Sequence, residues 1–488
     1  MWSDRLPEVK RRRMARRLQS VLPAPAPGAR GAVTPLRTGP AKEPTPEQVA
    51  EELRSEPGFV WLDGWPDGHR FFTRPLAVLT VRGGRSVVEG PGGRATFRCG
   101  GFDLLEAVFE AWGGPSRGLL VGYLGYELGA EIEAWPPESG AQVDDLGLPD
   151  LHLALYDSAL CHDENGWRLE STDAWRTDLA VEMESRLAAA RKREVSEPLP
   201  GRLATGPVTG RPSDRAFREG VERSIQAIRA GRIYQVNLCR RLEAPLPEDR
   251  IWPLWQRLRK ASPADHGVFL DLGPDCGQGR AILSISPELF LSVREGAVET
   301  RPIKGTRPRG ATAKEDRALA RELTESAKDR AELAMIVDVA RNDLGRVCAT
   351  GSVEVTRHAE LVTLPTLHHT ISTVRGRLRP EDVKTPVRLL RAAFPPASIT
   401  GAPKIQATWV AGAEEETRRG PAMGALGWIS LGGDLELSVA IRTAAVAQGK
   451  IAYHAGCGIT FDSDPELELE ETKVKARAFL TALGAAEL

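Results

Sequence analysis

Short apolar runs closed by glycine dominate residues 57–170. FVWLDG, AVLTVRGG and RSVVEG predict strands joined as hairpins. GLLVGYLGYELGAEIE is a glycine-punctuated strand running into a turn, and HLALYDSALCHDENGWRLE predicts two strands joined by a polar turn at Asn165-Gly166. Residues 171–211 pass from a charged helical pattern into PLPGRLATGPVTGRP, where the main boundary is placed. From residue 212 helices and strands interleave. Ser213 and Gly231 stand as N-cap and C-cap of a first helix. YQVNLCRRLEA, AILSISPELFLSVREG and AVETRPIKGTRPRG read as strands with turns. KEDRALARELTESAKDRAELAMIVDVARNDLGRVC reads as one long amphipathic helix, and PELELEETKVKARAFLTALG as the last.

Residues 1–45 follow neither pattern. Lys10 to Arg13 form a basic run, with Arg16 and Arg17 behind it and VLPAPAPGARGAV after it. Such a stretch has too little apolar surface to offset its ordering entropy, so a disordered tail is expected. Over the whole chain of 488 residues the formal charge is −1, which gives no global attraction to nucleic acid or to acidic membranes. No apolar run approaches the ~18 residues that span a bilayer, and there is no signal-peptide core. The six cysteines are scattered, with no C-x-x-C pair. That pattern suits a reducing, cytoplasmic setting rather than a zinc site or a disulfide framework. Neither a P-loop nor a G-x-G-x-x-G after a strand is present, so nucleotide binding is not expected.

Candidate chemistry lies in the C-terminal half. Asp329 with Glu332, and Glu468 with Glu471, each stand three residues apart on a predicted helix, hence on one face. Such a face is usually just solvated, but together the pairs could serve a hard cation such as Mg²⁺, which takes oxygen ligands. Lys304, in RPIKGTRPRG, lies between a strand end and a Gly-Thr turn. An ordinary surface lysine is the plainer reading. A desolvated one would be a nucleophile. ASITGAPK (397–404) and HAGCGIT (454–460) let backbone N–H groups approach an anion, and Arg442 at the end of LSVAIRTA suits a clamp on a carboxylate.

In order along the chain, YQVNL, SPELF, RPIKGT, KDRAELAMIVDVARNDLGRV, FPPASITGAPK, GALGWIS, LELSVAIRT and CGITFDSDPELELEETKVKA resemble the chorismate-binding enzymes. That family holds the large subunits of anthranilate and aminodeoxychorismate synthases and the isochorismate and salicylate synthases. The resemblance covers about residues 212–480, and residues 57–170 more loosely resemble the family's N-terminal region. It implies an α+β fold, a large antiparallel β-sheet sandwich flanked by helices. It implies that Lys304 is the nucleophile attacking ring carbon 2 of chorismate, that Glu288 in SPELF is the general acid for the departing 4-hydroxyl, and that Glu332 and Glu471, with Glu468 and Asp329 nearby, hold Mg²⁺. Arg442, Lys475 and the backbone at Gly456 and Gly458 would anchor substrate carboxylates. His369 would be the active-site histidine, with His368 beside it as a competitor, and Thr400 and Lys404 would support the site from the SITGAPK loop.

Within the family, P-I-K-G-T at Lys304 resembles the aminodeoxychorismate branch; anthranilate synthases usually carry alanine there. Gln235 stands where water-adding members carry a lysine base, which favours ammonia over water. VWLDG (60–64) replaces the L-L-E-S element of tryptophan-regulated members, so tryptophan feedback is not expected. No G-x-C-x-G nucleophile turn is present, so ammonia is expected from a glutaminase subunit or from solution. The rival expectations are anthranilate synthesis and a glutaminase-binding subunit that has lost its chemistry.

Overall fold

Many strands have no solvent face. Leu151–Tyr156, Ala281–Ser286, Leu435–Val439 and Thr443–Ala447 are buried at every position. A strand buried on both sides must lie in an inner layer. The computed structural model describes residues 6–21, 31–36, 42–114, 118–133, 135, 142–172, 179–273, 277, 279–364 and 367–485. In it two twelve-stranded sheets pack face to face with helices outside, as the α+β sandwich expectation requires.

The first sheet runs Gly31–Pro35, Gly166–Thr172, Ser158–Asp163, Gly68–Phe72, Val60–Trp65, His266–Asp271, Ala281–Ser286, Thr443–Ala447, Lys450–Ile459, Gln235–Pro245 and Thr209–Arg211, with Gly401–Ala402 also on Gln235–Pro245. The second runs Ile303–Pro308, Leu367–Arg377, Ala297–Thr300, Leu289–Arg294, Leu435–Val439, Ala425–Ser430, Leu119–Leu124, Leu151–Tyr156, Ala77–Arg82, Arg85–Gly90 and Gly93–Arg98, with Glu354–Thr363 also on Leu367–Arg377. Between the sheets, Leu62, Val268 and Ala445 of the first meet Val121, Tyr123 and Leu426 of the second. The first sheet's outer face (Trp61, Phe71, Leu283, Tyr453) is covered by helices Ile251–Ala261 and Pro465–Leu483 through Leu254, Trp255 and Phe479. The second's outer face (Leu79, Leu153, Leu291) is covered by Gly101–Trp112 and Ala327–Gly345 through Phe102, Leu105, Leu333 and Val337.

Four expectations need correction. Strands from 57–170 and from 212–480 share both sheets, as two blocks joined by one hydrogen-bonded seam in each: Val60–Trp65 pairs with His266–Asp271, and Leu119–Leu124 with Ala425–Ser430. The boundary at 171–211 therefore divides the sequence and not the core, and that stretch itself contains helix Leu179–Ala190 and strand Thr209–Arg211. Residues 152–170 lie in three strands, because the chain leaves the second sheet at Tyr156 and joins the first at Ser158. The long helix is two helices, Ala313–Glu325 and Ala327–Gly345; Ser326 ends one and caps the next by accepting from Asp329 N at 3.2 Å. Last, the basic tail holds a helix, Glu8–Val21, that buries Met14, Ala15, Leu18 and Val21. Its arginines find acids on Gly101–Trp112, with Arg11 bonding Glu110 at 2.9 Å and Glu106 at 3.2 Å. An apolar stripe spaced at 14, 15, 18 and 21 lies hidden among the charges.

The strand Ala281–Ser286 ends in the first sheet, and after Pro287 and Glu288 the chain enters the second as Leu289–Arg294. Its neighbours do the reverse: Leu435–Val439 leaves the second sheet and, after Ala440, Ile441 and Arg442, continues in the first as Thr443–Ala447. The two crossovers run side by side. Val439 N donates to Glu288 O at 2.9 Å and Ile285 N to Arg442 O at 3.1 Å.

The docked N-terminal helix generates a prediction. Leu18→Asp places a charge in its buried stripe, and the helix can release itself at a cost smaller than global unfolding. Trypsin should then cut the Arg11–Arg17 region much faster than in the unsubstituted protein, with the global urea midpoint little changed. A large fall in that midpoint would show instead that the helix is integral to the core.

Candidate active site

Glu288 and Arg442, one on each crossover, stand at the floor of a cleft. From the crossovers the first sheet continues through Thr443–Ala447 and Lys450–Ile459 to Gln235–Pro245, and the second through Leu289–Arg294, Ala297–Thr300 and Leu367–Arg377 to Ile303–Pro308. Helices Ala327–Gly345 and Pro465–Leu483 bring the acids. Glu332 joins the two sheets: its Oε2 accepts from Gln235 Nε2 at 3.1 Å and lies 3.9 Å from Lys304 Nζ.

Lys304 sits where the ladder with Leu367–Arg377 slips by a residue, between Lys304 and Thr306. Gly305 makes this bulge with φ of +77°, and a Cβ there would crowd Leu323 and the Asp329 carboxyl. Thr370 Oγ1 donates to Lys304 O, fixing the backbone from the neighbouring strand. The lysine side chain is 13% exposed, so its amine meets mostly protein and not solvent.

Glu288 is buried, in a cavity lined by Pro302, Ile336, Ala340, Ala397 and Ser398. Burial lifts its carboxyl from the ordinary 4.5 to about 7, against the opposing effects of the Ser398 hydroxyl and the Lys304 and Lys475 charges. It therefore holds a proton for a substantial fraction of the time at neutral pH.

His369 is also buried. Its Nδ1 lies 2.8 Å from Thr306 Oγ1 and 3.4 Å from Gly305 O. Burial, with the Arg442 charge, holds its pKa down to about 4, so the ring is neutral. With its proton on Nδ1 toward the Gly305 carbonyl, Nε2 presents a lone pair, and no partner for Nε2 occurs among the described residues. His368 faces the other way, with Nε2 at 2.9 Å from Asp316 and Nδ1 at 2.9 Å from Thr363 Oγ1. The alternation of a strand separates the two histidines.

Helix Pro465–Leu483 starts at Asp464, whose carboxylate accepts from Glu466 N and Leu467 N at 2.9 and 3.0 Å. Glu468, Glu471 and Lys475 follow on one face. Lys475 Nζ bonds Glu471 Oε1 at 2.7 Å and donates to Gly456 O at 2.8 Å. Burial would lower the Lys475 amine, but Glu471 outweighs it and the pKa is raised; on Glu471, burial raises and Lys475 lowers, with a net fall. These side chains remain 43% and 46% exposed, so this end of the cleft is open to solvent. Gly456 and Gly458 leave room for side chains of the paired strand: a Cβ on either would strike Cys239, Asn237 or Gln235. Glu468 is buried, accepts from Ser463 Oγ at 2.7 Å, and has no partner for Oε2 among the described residues. Burial raises the Glu332 carboxyl, the nearby Asp329 and Glu471 charges add to that, and Lys304 and Lys328 oppose it.

The remaining candidates serve the frame. Asp329 is turned to Arg307 at 3.3 Å. Thr400 is fully buried, donates to Pro396 O at 2.8 Å, and offers its carbonyl to Asn237 N at 2.9 Å. Lys404 bonds Asp343 at 2.8 Å and Ala393 O at 2.9 Å, so its charge is already satisfied. Arg442 is half-buried, with φ of +50° and no ion pair among the described residues; burial lowers its pKa. Two groups escaped the sequence reading. Ser398 lay within a quoted loop, with nothing to mark it as neighbour to Glu288. Arg419 is a knot beneath the loop, bonding Glu415 at 2.6 Å, Ile399 O at 2.9 Å and Asn237 O at 2.8 Å, with its guanidinium 4.2 Å from the centre of the Tyr126 ring.

A buried, partly protonated acid, a shielded lysine, a guanidinium with no ion pair among the described residues, a neutral imidazole and a cluster of carboxylates are thus brought within one another's electrostatic reach. A model of the family described as chorismate binding enzyme matches residues 60–481. Over 376 residues the chain is 40% identical to an aminodeoxychorismate synthase of Streptomyces griseus, covering 75% of this chain and 50% of that protein, so it spans about half that relative's length. It is 38% identical over 373 residues to aminodeoxychorismate synthase component 1 of Salmonella typhimurium, covering 76% of this chain and 77% of that one. Anthranilate synthase component I from Streptococcus pneumoniae superposes with a TM-score of 0.68 at 26% identity, over 88% of this chain and 92% of that one. On the extent of the family match and on these relatives, the chain belongs to the chorismate-binding enzymes.

Proposed function

We propose that this protein is the large subunit of an aminodeoxychorismate synthase, converting chorismate and ammonia to 4-amino-4-deoxychorismate, a precursor of p-aminobenzoate. The observation that carries this reading is Lys304, held on a glycine bulge at the cleft wall and shielded from bulk water. The names of the Streptomyces and Salmonella relatives support it. The Lys304 amine attacks ring carbon 2, both ring double bonds shift by one position toward carbon 4, and the 4-hydroxyl leaves as water with the proton of Glu288. Ammonia then adds at carbon 4, both double bonds return, and the lysine departs from carbon 2 as the free amine while the new amino group gives up a proton to Glu288; one ammonia enters and one water leaves. Arg442 and the backbone around Gly456 and Gly458 take substrate carboxylates, and Nε2 of His369 accepts a hydrogen bond from a substrate hydroxyl.

Magnesium fits the acidic end. Among the described residues no three metal-binding side chains are already gathered about one point. Mg²⁺, however, is commonly held by one or two carboxylates with water and substrate oxygens completing the shell. Glu332 and Glu471 would hold it, with the free oxygen of Glu468 behind them. When bound, the ion would neutralise the ring carboxylate. The described cysteines Cys99, Cys161, Cys239, Cys348 and Cys457 are all buried, and burial pushes each thiol up, which suits an ammonia supply from a separate glutaminase or from solution. Anthranilate synthesis is the second reading, favoured by the fold likeness to the Streptococcus enzyme; Lys304 weighs against it.

Mass spectrometry of products from chorismate, Mg²⁺ and ammonium should find aminodeoxychorismate. Lys304→Ala should lose about a hundredfold of that activity or more, the scale of losing one chemical participant. Anthranilate as the wild-type product would remove the Lys304 argument and leave the second reading.

Glu288 supplies a second test. Its folded pKa of about 7 exceeds the ordinary 4.5. Between these values the folded chain keeps a proton that the unfolded chain releases, so stability falls as pH rises through this window and the full penalty stands above it. Glu288→Gln should therefore abolish turnover yet raise stability at pH 8, by on the order of 2–3 kcal/mol, with the gain vanishing below about pH 4.5. Urea unfolding at the two pH values reads the difference, and equal gains at both would sink the assignment.

A further inference from the structure

Three lysines face the carboxylates of the cleft, and they are held differently. Lys475 is locked by two short bonds, at 2.7 and 2.8 Å. Lys304 is fixed on its bulge, 3.9 Å from Glu332. Lys328 has a single long contact, 3.8 Å to Glu468 Oε1, and remains 53% exposed. It also lies in the first turn of helix Ala327–Gly345, where the macrodipole disfavours a cation. Its one acidic contact thus lies on the facing helix, while its own helix end disfavours its charge. Those acids need a counter-charge: Lys328 lowers the pKa of both Glu332 and Glu471. Opposite it, the buried Glu468 has one oxygen bonded to Ser463 and one with no partner among the described residues.

We infer that Lys328 is a place-holding counter-ion that neutralises the acidic end of the cleft until a divalent cation displaces it. This rests on the metal reading of Glu332, Glu468 and Glu471 above. A metal held by Glu332 and Glu471 between the two helices supplies the positive charge that Glu468 behind them then takes from it, and the lysine swings into solvent, where half of its side chain already lies. The ammonium and the metal then compete for the same negative field. The free chain consequently holds Mg²⁺ less tightly than its carboxylates would allow, and the cluster keeps its charge balanced when no metal is bound.

The test uses the full chain without chorismate and Mn²⁺ as the probe, with free ion read by electron paramagnetic resonance and Mg²⁺ as competitor. Lys328→Met should tighten the Mn²⁺ Kd by about three- to tenfold, as expected for losing one partly screened charge. Lys328→Arg, which keeps the charge, should stay within about twofold of the unsubstituted chain. The unliganded Met variant should also melt at a lower temperature, because the acids then repel without relief. Unchanged or weaker Mn²⁺ binding in Lys328→Met overturns the inference. So does an elevated KM for chorismate with an unchanged metal Kd, which would make Lys328 a substrate contact. Absence of Mn²⁺ binding by the unsubstituted chain would remove the metal reading itself, and with it this role for Lys328.

Discussion

The cleft depends on one constraint: two neighbouring strands change sheets at the same place and in opposite directions. Backbone groups freed at a crossover must still be paired. Here each crossover serves the other, Val439 N on Glu288 O and Ile285 N on Arg442 O. Because three of the four strands on either side are buried at every position, the crossing point cannot slide without exposing buried side chains. An acid and a guanidinium are thereby fixed at the floor of the groove by the architecture of the sandwich. The left-handed backbone at Arg442 costs of order 1 kcal/mol for a non-glycine residue. It persists because sheet pairing on both sides determines it.

The same architecture divides the electrostatics. Near the crossovers, desolvation wins: Glu288 rises to about 7 and His369 falls to about 4, both toward their neutral forms. Toward the mouth, pairing wins: Glu471 falls and Lys475 rises, because each has the other at 2.7 Å. Glu332 lies between these regimes. It is raised by burial and by two acidic neighbours and restrained by two lysines. The Arg419 knot braces the frame beside them, joining strand Gln235–Pro245 to the loop at Ile399 and to the Tyr126 ring.

Much of this was legible in the chain, for identifiable reasons. Helical spacing put Glu468 and Glu471 on one face, and the Gly305 turn marked Lys304 as unusual. What stayed hidden was long-range. A run such as AILSISPELFLSVREG buries small polar residues, Ser284 and Ser286, among its apolar ones, so nothing in its periodicity says that it changes sheets at Glu288. The helix Glu8–Val21 was masked by composition: its stripe of Met14, Ala15, Leu18 and Val21 is outweighed by arginines that pair with acids some 95 residues away. For His368 and His369, strand alternation predicts opposite faces, but only the neighbours tell which face is the cleft. Asp329 and Lys404 carry the right chemistry for a site, yet each is satisfied by a partner, Arg307 or Asp343, that no local pattern announces.

A dry floor and a wet mouth also answer opposite chemical needs. In the proposed reaction an acid must be protonated at neutral pH and still give up its proton; that requires burial, and Glu288 has it. In the proposed cycle, carboxylates that exchange a lysine for a metal require water to carry away what they release. Glu471 and Lys475, each more than two-fifths exposed, retain that access. Lys304 stands between the two, 13% exposed, within the field of Glu288 and 3.9 Å from Glu332. A bound substrate would close the mouth by its own bulk. The lysine would then face a medium of low dielectric at the moment its amine is needed, with no moving lid required.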